Sequence, residues 1–178
     1  AVDLSATGGT QATATVTVNS TEATAGKSIA GDIQAPSDTD IASVSIVVGG
    51  AGLDDANDTL TLDSGTDRAL NADFSGDNLT VGGISGVDFS YVAASNTLTL
   101  TADAGGALTA ADIDNIVAGI LFKTSSTTQG DRTFTVSYTD IAGNTGTTAA
   151  STMTVDTVVS AVDLSATGGT QATATVTV

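Results

Sequence analysis

The sequence predicts an all-β fold, a β-sandwich carrying one short amphipathic helix, and three observations lead there. Short segments in which apolar residues alternate with Thr or Ser recur along the chain, the signature of strands covered on one side. Clusters of Gly, Asn and Asp punctuate them, as tight turns require. A single stretch, 109–122, exchanges the period of two for a helical one.

The alternating segments are 12–18 (ATATVTV), 43–48 (SVSIVV), 59–62 (TLTL), 87–92 (VDFSYV), 97–101 (TLTLT), 132–138 (RTFTVSY) and 151–155 (STMTV). Thr and Val suit pleated, half-buried surfaces, and short strands with frequent turns read as a sandwich. In the helical stretch, Thr109 followed by Asp112 resembles a capping box with Asp in place of Glu. Ile113, Ile116, Val117, Ile120 and Leu121 then fall on one apolar stripe. Gly119 costs such a helix about 1 kcal/mol relative to Ala. The helix is expected to cover an open end or edge of the sandwich.

Residues 1–18, AVDLSATGGTQATATVTV, return unchanged as residues 161–178. The chain therefore reads as one period of 160 residues plus the opening of the next copy, a tandem array. Residues 19–160 are expected to form the module, 1–18 to be strands of a neighbouring repeat, and 161–178 to begin the next one. No flexible linker separates the copies. Either the period begins near Val158, or strands of neighbouring copies complete one another's sheets; the second arrangement is preferred, with 161–178 finishing the sandwich.

Composition narrows the chemistry. Four Phe, two Tyr and no Trp leave Val, Ile, Leu and Ala to fill the core. Cys and His are both absent, which excludes disulfides, argues against zinc, haem and iron–sulfur ligation, and rules out Ser–His or Cys–His catalysis. A carboxylate pair for glycoside hydrolysis would want aromatic platforms, which are scarce; the chain is not expected to be an enzyme. No apolar run is long enough to span a membrane.

Twenty acidic residues face four basic ones, for a net charge of −16. Nucleic acid and anionic membranes are poor partners for such a surface. All the acids but Glu22 are Asp, whose short side chain favours turns and brings carboxylates close to backbone carbonyls. Hard cations need that kind of oxygen cage. The densest clusters are Asp38 and Asp40, and Asp54, Asp55 and Asp58; each reads as a metal site or as a solvated loop tip. Residues 49–57, GGAGLDDAN, approach a calcium-binding nonapeptide. That motif works by stacking, so one copy reads instead as a Gly-rich loop with a bound ion.

Two further motifs carry a resemblance. DIAGNTG at 140–146 follows the strand RTFTVSY, and TVDT at 154–157 closes the next one. With these motifs the chain resembles the Ig-like extender repeats of giant bacterial adhesins of the RTX and biofilm-associated type, over most of 41–157. The resemblance implies an Ig-like or cadherin-like sandwich, Ca2+ at module ends and junctions, and Asp140, Asn144 and Asp156 as ligand candidates. Asp163, just past the junction, and its copy Asp3 are added on position. A plain turn built by Asp140, Asn144 and Gly143 explains the same residues.

The expectation is a structural spacer, monomeric as a fragment, whose partners are the adjacent repeats. The resemblance places it outside the cell, on a bacterial surface, projecting an adhesive domain in adhesion or biofilm formation. The alternative is a ligand-binding module gripping carbohydrate or a second fibre, which an exposed Tyr91 or Phe89 would favour.

Overall fold

The computed structural model describes residues 13–18, 20–29, 40–63, 65–146 and 149–156. Among them are the strands β1 (Thr13–Val18), β2 (Lys27–Ser28), β3 (Ile41–Gly49), β4 (Asp58–Thr61), β5 (Asp67–Ala69), β6 (Phe74–Val81), β7 (Ile84–Val92), β8 (Thr97–Ala102), β9 (Leu121–Thr124), β10 (Gly130–Asp140) and β11 (Ala149–Val155). The helices are α1 (Ser20–Ala25) and α2 (Ala110–Gly119). Asp3, Asp38 and Asp163 lie outside the described residues.

The strands form two sheets, one of seven in the order β1-β11-β10-β3-β8-β7-β6 and one of four in the order β2-β9-β4-β5. The expected all-β sandwich is present. Alternation does the work: in β3 the residues Val44, Ile46 and Val48 are buried, and in β8 Leu98 and Leu100 are. Both sheets contribute to one core, and Phe122 of β9 meets Phe134 of β10 edge to face, 5.5 Å between ring centres. Phe74 stacks on Tyr91 at 4.7 Å. Four of the six aromatic rings are thus in the interior, and Phe74 and Tyr138 are half-buried against it.

Helix α2 begins as its sequence dictates. Thr109 Oγ1 accepts from the Asp112 N–H, and Asp112 accepts from the Thr109 N–H, closing the capping box. Ile113, Ile116 and Val117 are buried. The helix stops at Gly119, earlier than the apolar stripe suggests, and Leu121 and Phe122 enter β9. Leu121 pairs there with Ser28 and Thr61, and Phe122 with Lys27 and Leu60. Backbone partners on both sides outweigh one more helical turn. A second helix, α1, was not expected, and neither were β2, β5 and β6.

Gly119 has a reason to be glycine. A Cβ there would overlap the Cα of Gly82, and one on Gly82 would overlap the Asn115 carbonyl. The end of α2 therefore lies backbone-to-backbone on the β6–β7 turn, where Gly82 holds a φ of +58°.

Strand β1 pairs with β11 in parallel, Thr13 beside Ala150 through Val18 beside Val155. The sequence reading gives residues 1–18 to a neighbouring repeat; of these, 13–18 pair here with the last described strand of the same chain, while 1–12 and the 161–178 segment expected to finish the sandwich lie outside the described residues. β11 runs antiparallel to β10, with Ala149 beside Val136 and Val155 beside Gly130. β1 therefore starts toward the end of the sheet where β10 terminates, and β11 finishes at the opposite end. β10 is 11 residues long, so the two ends are about 33 Å apart at ~3.3 Å per residue.

The Gly119 contact yields a test of sign. Gly119→Ala would stabilise an isolated helix by about 1 kcal/mol. Here it is expected to lower stability by about 1–3 kcal/mol through overpacking, read as a lower urea midpoint with an unchanged slope.

Candidate metal sites at the two ends of the sheet

The loop after β10 is a closed turn. Asn144 donates its backbone N–H to Oδ1 and its side-chain amide to Oδ2 of Asp140, both at 2.8 Å. The Asp140 carbonyl accepts from Gly143, whose φ of +86° only glycine adopts without strain. These bonds, those from the Asn144 side chain first, hold the Asp140 carboxyl below the usual carboxylate range. Asp40 lies alongside, its carbonyl accepting from the Ile141 N–H at 3.0 Å. The turn reading accounts for Asp140, Asn144 and Gly143. A cation ligated here would need Asn144 to present its oxygen instead of its amide nitrogen.

Asp156 follows β11 and so lies at the other end of the sheet from Asp140 and Asn144. The three ligand candidates implied by the resemblance do not converge on one ion within this chain.

Asp54, Asp55 and Asp58 are close together, and their roles differ. Asp58 and Arg132 are both fully buried, with Arg132 Nε donating to Asp58 Oδ2 at 3.1 Å. The guanidinium Nη1 also donates to the carbonyls of Thr128 and Gly130. Asp58 is an anchor for arginine. Asp54 accepts from Ser126 Oγ at 2.6 Å and Asn57 Nδ2 at 3.0 Å, bonds that lower its pKa. Asp55 carries a buried Oδ1 with no hydrogen-bond partner.

The Gly-rich start of this loop is explained by packing. A Cβ on Gly50 would strike the Asp131 carbonyl, and one on Gly52 would lie 2.7 Å from the Gly130 carbonyl carbon and 2.8 Å from Arg132 Nη1. The glycines let two loops close over the arginine, and the likeness to a calcium nonapeptide needs no ion.

A different acidic group escaped the sequence reading. Asp77, Asp88 and Asp103 each bring a carboxylate oxygen within 4.8 Å of the others. Asp77 sits where the β6–β7 register is interrupted between Gly76 and Leu79, Asp88 on β7, and Asp103 in the 3-10 turn Asp103–Gly105 after β8. Positive φ at Asn78 and Ala104 bends the backbone beside them, and the Asn78 N–H donates to Asp88 Oδ1 at 2.8 Å. Among the described residues none of the three pairs with a Lys or Arg. Two oxygens on opposite sides of a Ca2+ ion, each at ~2.3–2.6 Å, span about 5 Å, so this donor set fits a hard divalent cation. It does not by itself discriminate calcium from magnesium. Separations of 11 and 15 residues give no spacing signal; only the sheet register brings these three together.

Register also sorts the carboxylates by end. Asp88 pairs with Thr101, Thr101 with Ser43, and Ser43 with Thr139. The Asp77–Asp88–Asp103 group is therefore on the same side of the sheet as Asp40 and Asp140. Asp131, beside Thr154, shares the opposite end with Asp156 and the 50–57 loop, whose Gly52 N–H donates to the Asp131 carbonyl.

The rings that a carbohydrate site would need are inside: Phe89 is 3% and Tyr91 1% exposed. Tyr91 donates to the Leu70 carbonyl, and burial, with the charges of Asp55 and Asp73, pushes its hydroxyl up to about 12. Of the hollows on the surface, one of about 190 Å³ is lined by Thr24, Asn57, Asp67 and Lys123, and one of about 200 Å³ by Asp73, Phe74 and Ser90. Among the described residues no helix is long and apolar enough to cross a membrane. Comparison with known proteins gives no match, neither to a family model nor to a curated protein.

Two predictions follow from these contacts. Arg132→Met strands the Asp58 carboxylate in the core and is expected to cost about 3–5 kcal/mol in denaturant unfolding; adding Asp58→Leu should restore much of it. Asn144→Ala should raise the Asp140 titration midpoint toward the ordinary carboxylate value, followed by NMR. The sign is fixed by the lowered pKa: the loop's contribution is present above the unfolded value of ~3.9 and lost as pH falls through the lower folded one.

Proposed function

We propose that this chain is a structural spacer, one unit of a tandem array that works outside the cell on a bacterial surface and holds an adhesive domain away from it. The parallel pairing of β1 with β11 carries this reading. A first described strand that starts toward one end of a sheet and a last described strand that finishes at the other suit modules strung head to tail. The recurrence of residues 1–18 at 161–178 supports it, and so does the burial of Phe89 and Tyr91, which removes the platform a ligand-binding module would use.

In such an array the end bearing Asp40, Asp88, Asp103 and Asp140 faces the end bearing Asp54, Asp131 and Asp156 of the preceding copy. Like charges facing one another oppose a straight joint, and divalent cations held between them would remove that opposition. Extracellular sites bind Ca2+ at ~10⁻⁴–10⁻³ M. An ion present at one hundred times its dissociation constant stabilises the liganded arrangement by about 2.7 kcal/mol. Asp77, Asp88 and Asp103 are the residues that would hold one. Stiffening would then set in only after export, in a chain that has no cysteine to cross-link.

Small-angle scattering on a chain of two or more periods tests this reading. A module of this size is roughly 40 Å across, so the maximum dimension is expected to grow by about that much per period in millimolar Ca2+. Chelation should shorten it and lower the melting midpoint. If chelation changes neither dimension nor melting, cations do not stiffen the array.

A further inference from the structure

We infer that the edge of β11 on which β1 lies is a strand-acceptor site that also takes residues 173–178 of the same chain in place of residues 13–18. The site is a backbone ladder. β1 is the terminal strand of the seven-stranded sheet and is held there by β11 on one side only. Its register sets Ala14, Val16 and Val18 beside Ser151, Met153 and Val155, three of the four buried residues of β11.

Residues 173–178 read TATVTV, identical to β1 in every position. Any pairing energy that β11 offers to one copy it offers to the other. Two strands thus compete for one place, and sequence gives neither an advantage. Connection alone separates them.

That connection permits the exchange. A strand following β11 and parallel to it must return along the sheet through a crossover of a dozen residues or more. Residues 156–172 supply 17, which extend to about 56 Å at ~3.3 Å each. The return along the paired stretch, Ala150 to Val155, is about 17 Å. An unfilled β11 edge would expose unpaired N–H and C=O groups to other chains, so a spare strand of the same sequence also protects the sheet when β1 leaves it.

A double-mutant cycle in the full 178-residue chain tests the inference. In a strand, alternate N–H groups face the neighbour, so two consecutive prolines remove one ladder donor whatever the phase. The first variant carries Thr15→Pro with Val16→Pro, the second Thr175→Pro with Val176→Pro, and the third all four. Each pair alone is expected to leave the melting midpoint within about 2 °C of the parent and the chain monomeric. The four together should lower it by more than about 5 °C. If Thr15→Pro with Val16→Pro alone matches the quadruple variant, or the quadruple variant melts like the parent, the inference is wrong. It is wrong too if the first variant keeps its midpoint only as a dimer, because the strand then comes from another molecule. A second readout uses the absence of native cysteine. With Val16 and Thr15 replaced by proline, Thr152→Cys and Thr175→Cys are expected to form an intrachain disulfide on oxidation, detected by peptide mapping. None of these outcomes depends on calcium or on the spacer reading.

Discussion

One buried ion pair ties the two sheets together, and the geometry of a whole end of the molecule is arranged around it. Arg132 comes from β10 of the seven-stranded sheet and Asp58 from β4 of the four-stranded one, and neither side chain reaches solvent. An arginine that deep is tolerable only if its donors are satisfied. Asp58 takes one edge of the guanidinium, and the carbonyls of Thr128 and Gly130 take another. Those carbonyls belong to the segment leading into β10, so the loop must curl over the arginine. The 50–57 loop has to close from the other side, which it does with glycine wherever a side chain would collide. Ser126 then reaches Asp54, and the Ser125 N–H reaches the Asn57 carbonyl. In a chain without cysteine and with few aromatic rings, this polar knot does locally what a disulfide or a large ring does elsewhere.

Charge is distributed with similar economy. Arg68, Lys123 and Arg132, three of the four basic residues, pair with Asp63, Asp67 and Asp58. Thr61 adds a hydrogen bond to Asp67, whose pKa is lowered by Lys123 first and Thr61 second. Many of the other carboxylates collect in loops at the ends of the strands, where Asp bends the chain. Turn-making and charge are therefore one property here: a sequence that builds its corners from aspartate necessarily places its negative potential at the extremities of the sheet.

Most of the fold was legible because alternation is a local signal. The strands around Val44, Leu98, Phe134 and Met153 announce themselves within seven residues, and the Thr109–Asp112 cap fixes where α2 starts. What escaped depended on distant partners. Leu121 and Phe122 continue a helical stripe on paper, but β2 and β4 flank them and draw them into a strand. Residues 74–81 contain Gly76, Asp77 and Asn78, poor strand formers, and pair with β7 only through an interrupted register. The acidic candidates divided for the same reason. Asp58 looked like a cation ligand because the sequence does not show that Arg132, 74 residues on, lies against it. Asp77, Asp88 and Asp103 looked unremarkable because nothing short of the sheet order puts them side by side.

Parallel pairing of β1 and β11, the first and last described strands, also decides how the fold meets a pull. Tension on the flanking chain drags β1 toward one end and β11 toward the other, along their shared axis. Every rung between them is then strained at once, in shear, rather than opened one at a time like a zip. Rupture requires the six paired positions from Thr13–Ala150 to Val18–Val155 to fail nearly together. The weakest-looking attachment in the sheet, a lone edge strand, is oriented so that a pull along the chain meets its greatest resistance.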